Sequence, residues 1–336
     1  MDTSSRDAMS GYSFSLETEK SPTYYQIAKH LEKGGWQHTP KGLLADISET
    51  NFQLSVPAME CLEYKHHLAS LVAEYCPYVM PLTYRINDSN WPAVLNQILC
   101  HGNDAMTWIL KPALMNNGQH IKIFQHWHQV EAHYLGSNRL GGEHVLQQYI
   151  TDPHLLRGPV SGHKYSIRMF VVITNYAGAF LYSKGYFNVA LQPYQKNDLT
   201  DLSSHVTNEH LSDEAVNVVQ IPTQQYDLFK PFYPRIKAIA ADVLQALQVK
   251  HPFIESSKPR ALSLFGFDFM VDALERVWLL EANHGPCFPI NDDHPLQNIL
   301  YDDFWRALLS SFMHPIGTNQ LLNQIPYEMF DKLLVI

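Results

Sequence analysis

The sequence predicts an α+β fold built of sub-domains, and three observations carry that expectation. Strand-length runs, apolar or alternating, recur through the middle and end of the chain. Helical spacings fall between them, and the two kinds of segment follow no regular order, which argues against a simple doubly wound sheet. Third, 336 residues allow roughly two domains at about 150 residues each.

The elements follow in order. Residues up to Lys20 are rich in Ser, Thr and charge and read as a flexible tail. TYYQIAKHLEKGG is a short helix closed by Gly34 and Gly35. MECLEYKHHLASLVAEY (59–75) repeats apolar residues at helical spacing and predicts one amphipathic helix. TWIL (107–110) and IKIF (121–124) form a hairpin-like pair around a polar loop, and HVLQQYI (144–150) is a strand stopped by Asp152-Pro153. KYSIRMFVVITN (164–175) is long and β-branched, and turns at Tyr176–Gly178 into AFLYSKG. YPRIKAIAADVLQALQVK (233–250) is a helix with Pro234 in its first turn. SLFGFDFMV (263–271) and VWLLEAN (277–283) read as a β-hairpin, and FWRALLSSFM (304–313) as helix.

Composition narrows the class. The hydrophobic share of 46% excludes a disordered chain, and no run approaches the roughly 18 apolar residues of a membrane helix. The net charge of −9 argues against a nucleic-acid or membrane-surface binder, since both partners are densely negative. Four scattered cysteines without paired metal spacing, and a polar amino terminus without an apolar signal core, lead us to expect a cytoplasmic protein; non-classical export stays open.

Chemistry concentrates in two places. On the carboxy-terminal hairpin, period two puts Phe265, Phe267, Phe269 and Val271 on one face and Gly266 and Asp268 on the other. Glu281 and Asn283 share a face on the return strand, with Trp278, Leu280 and Ala282 opposite. Pairing would bring Asp268, Glu281 and Asn283 together, a donor set for a hard cation such as Mg²⁺. Read blandly, Asp268 is an edge charge and Glu281 begins a loop; but acids after strongly apolar runs need compensation. On KYSIR, Lys164, Ser166 and Arg168 share one face while Tyr165, Ile167 and Met169 face a core. Two cations in line on such a strand suit a polyphosphate, or else a solvated face, and Lys111 ends a strand before a loop containing Gly118. His126, His128 and His133 look like a metal cluster, but His126 and His128 at i, i+2 cannot share a helix face. Cys287 has no evident base near it in sequence and reads as an ordinary cysteine.

The order of these pieces resembles the tubulin–tyrosine ligase-like branch of the ATP-grasp ligases. Trp108-Ile-Leu-Lys111-Pro112, then Asn117-Gly118-Gln-His120-Ile121, is similar to its W-x-x-K-P strand and glycine loop. Gln147-Gln148-Tyr149-Ile150 with Asp152-Pro153-His-Leu155 matches Q-x-Y-I and N-P-x-L, and Gly162-His-Lys164-Tyr165-Ser166-Ile-Arg168 matches G-x-K-F-D-x-R. Gly185 to Tyr194 resembles G-x-x-R-x-A-x-x-P-Y, and His205-Val-Thr207-Asn208 resembles H-L-T-N. Gly266-Phe267-Asp268-Phe269 through Trp278-Leu279-Leu280-Glu281-Ala-Asn283 repeats G-F-D-F…W-L-L-E-x-N, and Tyr64-Lys65 matches an early family lysine. Lys65 to Asn283 is about two thirds of the chain.

The resemblance implies an ATP-grasp fold with a nucleotide cleft between two sub-domains: a tail (1–20), an N-terminal segment (21–62), a central sub-domain (63–152) and a C-terminal one (153–336). It implies that Lys65, Lys111, Lys164 and Arg168 neutralise ATP phosphates, with Gln147, Tyr149 and Ile150 beside the adenine and Asn208 also on the nucleotide. Asp268, Glu281 and Asn283 would hold Mg²⁺, with Arg168, Glu281 and Asn283 the catalytic residues. The implied reaction joins an amino acid or other amine donor to a protein or peptide carboxylate through an acyl phosphate. Three positions depart from the pattern. Ser166 replaces an acidic residue, His120 a loop glycine, and Asn188 an arginine that helps grip the acceptor or acyl phosphate. The lost charge implies a different acceptor, not a strongly acidic tail, or a weakened activity. Two other readings stand beside the ligase: a nucleotide-binding pseudoenzyme serving as an interaction scaffold, and a ligase of a small peptide or metabolite.

Overall fold

The computed structural model describes residues 11–115, 118–157, 161–207, 218–252 and 254–334. In chain order come β1 (Ser13–Ser15), α1 (Pro22–Lys33), β2 (Gln37–His38), β3 (Ile47–Ser48), α2 (Val56–Glu63), α3 (Lys65–Tyr75) and β4 (Thr83–Ile86). There follow α4 (Trp91–Cys100), β5 (Trp108–Pro112), β6 (Lys122–Phe124), α5 (Trp127–Leu135) and β7 (His144–Gln148). The remainder is β8 (His163–Thr174), β9 (Ala179–Pro193), β10 (Val218–Pro222), α6 (Tyr233–Lys250), β11 (Leu262–Val271), β12 (Val277–His284), α7 (Asp302–Leu308), α8 (His314–Thr318) and β13 (Phe330–Leu334).

These make a mixed α and β protein with several sheets. The largest runs β10-β9-β8-β11-β12, with β13 also on β9, and is antiparallel throughout. Its strands are apolar on both faces because both are covered. Tyr165, Ile167, Met169, Val171 and Ile173 of β8 join Phe265, Phe267 and Phe269 of β11 in a core with Ile236, Val243, Leu244 and Leu247 of α6. The opposite face places Phe170, Val172, Leu262 and Leu264 against Phe304, Trp305 and Phe312. α7 and α8 belong to one helical stretch with π-helical turns at Gln297–Tyr301 and Leu309–Met313, which contains the helix predicted for 304–313. A second antiparallel sheet, β4-β7-β5-β6, turns Trp108, Leu110 and Leu146 toward α4 and α5. That orientation leaves Ile109, Lys111 and Gln147 on the other face.

Three elements differ from the sequence reading. The expected helix 59–75 is interrupted at Tyr64, whose extended backbone (φ −80°, ψ 119°) separates α2 from α3. No Pro or Gly forces this break; its result is that Lys65 opens a new helix. The segment read as tail includes β1, which pairs in parallel with β2 and β3 and buries Phe14 and Leu16 among Trp36 and Ile47. Two apolar side chains two residues apart suffice to anchor an otherwise polar stretch. Strand β9 also runs beyond AFLYSKG to Pro193. The histidines at α5 form no metal cluster among the described residues: His126, which precedes the helix, and His128 are exposed and stack at 5.3 Å, while His133 is half-buried 5.6 Å from the Phe124 ring.

At Gly185, β9 leaves no room for a side chain against β8. A Cβ there would lie 2.2 Å from the Arg168 carbonyl oxygen and 2.5 Å from the Met169 sulfur. Gly185→Ala must therefore move backbone beneath Arg168. We expect it to cost roughly 1–3 kcal/mol, read as a lower urea midpoint at unchanged slope; an unaltered midpoint would count against this contact.

Candidate functional site

Between the two large sheets lies a cleft with a cavity volume of about 230 Å³. At about 10–15 Å³ per water, that is room for a molecule as well as an ion. Lys65, Lys111, Gln147, Tyr149, Ile150, Lys164, Arg168, Asp268, Glu281 and Asn283 all line it, as do Ser166 and Asn188. Asn208, the remaining residue expected here, lies outside the described residues.

Strand pairing brings the acidic groups together. Asp268 of β11 faces Glu281 of β12, and Gly266 faces Asn283. Asn283 Nδ2 donates to Asp268 Oδ2 at 3.0 Å and to Glu281 Oε1 at 3.3 Å. A register shift after Asp268 alters one expectation. Leu280, expected opposite Glu281, lines the cleft beside it, because the bulge lets two successive residues reach one face. Met270 joins it there.

On the other flank of β11, Asp268 is paired with Arg168 of β8. The guanidinium donates twice, Nε to Oδ1 at 2.5 Å and Nη2 to Oδ2 at 2.7 Å, the strong forked geometry of arginine with a carboxylate. Gly266 makes room for it: a Cβ there would be 2.9 Å from Arg168 Cδ. Burial and the Glu281 carboxylate push Asp268 up from its usual range, against the pull of Arg168. Burial also pushes Glu281 up, but Lys65, Lys111, the Asn283 hydrogen bond and Arg168 outweigh it and hold this carboxyl down. Lys65 Nζ stands 3.5 Å from Glu281 and donates to the Met115 carbonyl oxygen at 2.9 Å.

The two lysines deeper in the cleft have no such carboxylate. Lys111 donates to Gln147 Oε1 at 2.9 Å, and burial lowers it to about 8 although Glu281 pulls the other way. Lys164, only 2% exposed, donates to the Tyr149 hydroxyl at 2.8 Å with its ammonium 4.2 Å from the ring centroid. Burial first, then the neighbouring Lys111, lower it to about 7. Tyr149 is in turn 2.7 Å from His205 Nδ1, and His205 Nε2 is 2.6 Å from the Asp198 carbonyl oxygen. A carbonyl can only accept, so the proton sits on Nε2 and Nδ1 accepts from Tyr149. The hydrogen bonds therefore run one way, from Lys164 outward. His205 was visible in sequence only as part of a short motif, and its link to Tyr149 spans 56 residues.

The departures from the expected pattern have definite surroundings. His120 keeps a positive φ of 56°, so the chain holds there the left-handed backbone that glycine adopts most easily. Ser166 and Asn188 are cross-strand neighbours. Ser166 Oγ accepts from Thr207 at 2.8 Å, and Asn188 Oδ1 accepts from Gln220 at 3.2 Å. Cys287 lies at the rim, exposed.

Two carboxylates and an amide within hydrogen-bonding distance of one another are a fitting donor set for one hard divalent cation. Rotating the Asn283 amide would present its oxygen, and a cation would relieve the repulsion between Asp268 and Glu281.

Comparison with known proteins agrees with the order of motifs. The model of the Tubulin-tyrosine ligase family matches residues 64–321. The chain is 23% identical over 206 residues to Tubulin glycylase 3C of Tetrahymena thermophila, covering 56% of this chain and 19% of that protein. It is 26% identical over 267 residues to Probable tubulin–tyrosine ligase PBY1 of Saccharomyces cerevisiae, covering 64% and 34%. With Probable tubulin polyglutamylase TTLL2 of Mus musculus it shares 25% identity over 220 residues, 60% and 38% of the two chains. The matched region thus spans well under half the length of each of these relatives. Since the family match covers well over half of the chain and runs past every residue from Lys65 to Asn283 expected at the cleft, the chain belongs to the tubulin–tyrosine ligase family.

Proposed function

We propose that the protein is an ATP- and Mg²⁺-dependent ligase of the ATP-grasp type that joins an amino acid or another amine donor to a protein or peptide carboxylate. The observation that carries this reading is Lys164. It is a fully buried lysine with no carboxylate partner among the described residues, in the same cleft as two buried carboxylates. Burying an ammonium without a counter-ion is costly, and an anionic ligand removes the cost. In this reading Lys65, Lys111 and Lys164 bind the phosphates, while Gln147, Tyr149, Ile150, Met270 and Leu280 border the base. Mg²⁺ on Asp268, Glu281 and Asn283 would neutralise phosphate charge. Arg168, held in place by Asp268, positions the reacting carboxylate against the γ-phosphate.

A carboxylate oxygen of the acceptor bonds to the γ-phosphorus as the bond to ADP breaks. The amine nitrogen then bonds to the acyl carbon, phosphate departs with the oxygen, and the nitrogen loses a proton to leave an amide. The cleft's contribution is position and fixed charge. The uncharged Ser166 and Asn188 favour a second reading, a nucleotide-binding scaffold without turnover. Such a scaffold would be stabilised by ATP with Mg²⁺ and release no ADP.

Glu281→Gln removes one of the two carboxylates with little change of shape. We expect ADP release in the presence of amino acids and peptide acceptors to fall roughly 10²-fold or more. Absence of ADP release in the unsubstituted protein across a broad acceptor panel would sink the ligase reading and leave the scaffold.

Lys164 makes two further predictions. Its value is lowered to about 7 when folded, against about 10.4 for a free lysine. Between those values the unfolded chain carries a proton that the folded chain lacks, so stability from this group rises with pH. Lys164→Met should therefore melt higher than the unsubstituted protein near pH 7 without nucleotide, by about 2–4 °C for each kcal/mol recovered. The gain should shrink toward pH 10, and stabilisation by ATP with Mg²⁺ should be lost. A variant that melts lower and still responds to ATP would contradict both halves.

Nucleotide binding should also draw protons from solution near pH 8, because phosphates favour the charged forms of Lys164 and Lys111. Calorimetric titrations in buffers of different ionisation enthalpy measure that uptake directly. Identical heats in all buffers would rule it out.

A further inference from the structure

Among the described residues, and apart from Lys164, which stands two residues beyond Ser166 on β8, the charges on the cleft face of the large sheet lie in a single cross-strand row. Glu281 pairs with Asp268, Asp268 with Arg168, and Arg168 with Tyr186. Two residues along β8, about 6.5 Å away, the next row is Ser166, Asn188 and Gln220, each opposite the next and none of them charged. Asn188 is 6% exposed and lines the cleft with Ser166 and Thr207. The Asn188 carbonyl is engaged by Gln220, so what it offers a ligand is its NH₂ group. Ser166 accepts from Thr207, so its own hydroxyl proton is free to be given.

In the ligase reading the nearby cations are all taken: Lys65, Lys111 and Lys164 by the nucleotide phosphates, and Arg168, already forked onto Asp268, by the reacting carboxylate. The residues from 208 to 217, which lead from Thr207 to β10, include no lysine or arginine. With Lys164 and Arg168 so engaged on either side, a second carboxylate resting on this row would be a buried anion facing neutral donors, one row from Asp268 and Glu281. The carbonyl oxygen of an amide accepts the same hydrogen bonds without that penalty.

We propose that the acceptor is a single carboxylate flanked by uncharged hydrogen-bonding groups, such as carboxamides, and that Asn188 and Ser166 hold one such flanking group. The proposal rests on the ligase reading, with Arg168 taking the reacting carboxylate and the neighbouring row reading what stands beside it.

The test uses the full chain loaded with a non-hydrolysable ATP analogue and Mg²⁺. Two labelled tripeptides with blocked ends, Gln-Glu-Gln and Glu-Glu-Glu, are titrated by fluorescence anisotropy. We expect Gln-Glu-Gln to bind at least about tenfold more tightly, and Asn188→Arg to move the ratio at least about tenfold toward Glu-Glu-Glu. Ser166→Lys supplies the cation from the adjacent strand should Asn188→Arg fail to fold. Equal or tighter binding of Glu-Glu-Glu, a ratio that neither substitution moves, or no binding of either peptide overturns the proposal. Stabilisation by the ATP analogue is measured separately. Its absence undermines the ligase reading itself, whereas its presence with an acidic preference removes only the inference about the acceptor.

Discussion

One charge pair sits at the point where a packed core becomes an open cleft. The forked bond from Arg168 to Asp268 crosses between the two central strands of the large sheet. On one side of it along β8, Phe170 and Val172 belong to an aromatic core; on the other, Ser166 and Lys164 line the cleft. A strand face that changes character in this way needs a boundary that satisfies both neighbours. An arginine supplies it, since its stem packs like an aliphatic side chain while its head meets a carboxylate. The glycines opposite follow from this arrangement: Gly266 gives the stem room, and Gly185 lets the next strand close against the Arg168 carbonyl.

The charges around this pair are unevenly compensated. Asp268 and Glu281 are too close to be comfortable, and the protein compensates with Arg168, Lys65 and an amide hydrogen bond apiece. Among the described residues the ammonium groups of Lys111 and Lys164 hydrogen-bond to neutral partners, a glutamine and a tyrosine, with Glu281 acting on Lys111 from farther off. A buried lysine of that kind lowers stability in return for affinity, a familiar exchange at functional sites.

Much of this was legible in the sequence, for reasons that are local. Alternation along Lys164–Met169 and along Gly266–Phe269 assigned faces correctly because the period of two survives in a strand whatever its partners are. The helix Tyr233–Lys250 was likewise bounded by its own residues. What escaped depended on partners far along the chain. The bulge that turns Leu280 into the cleft is a property of two strands in register. The break at Tyr64 carries no local signal, and the Lys164–Tyr149–His205 series joins three separate segments. Phe14 and Leu16 looked unimportant in a polar stretch, because the core that receives them is assembled mostly from residues beyond 170.

The helix α1 reaches across to the loop just past the acidic hairpin. Thr23 Oγ1 donates to the Pro286 carbonyl oxygen at 3.2 Å, Gln26 Nε2 donates to that of Pro289 at 2.5 Å, and Lys29 pairs with Asp292. Trp36 meanwhile packs so closely on α8 that only a glycine fits at position 317. Contacts that hold this loop and α8 therefore come from residues that precede the region matched by the family model. Trimming the chain to its shared region would strip the covering from an aromatic layer and loosen the loop that leaves the Glu281–Asn283 strand. In evolutionary terms, residues 11–60 are free to vary in sequence only so long as they go on buttressing a loop more than two hundred positions away.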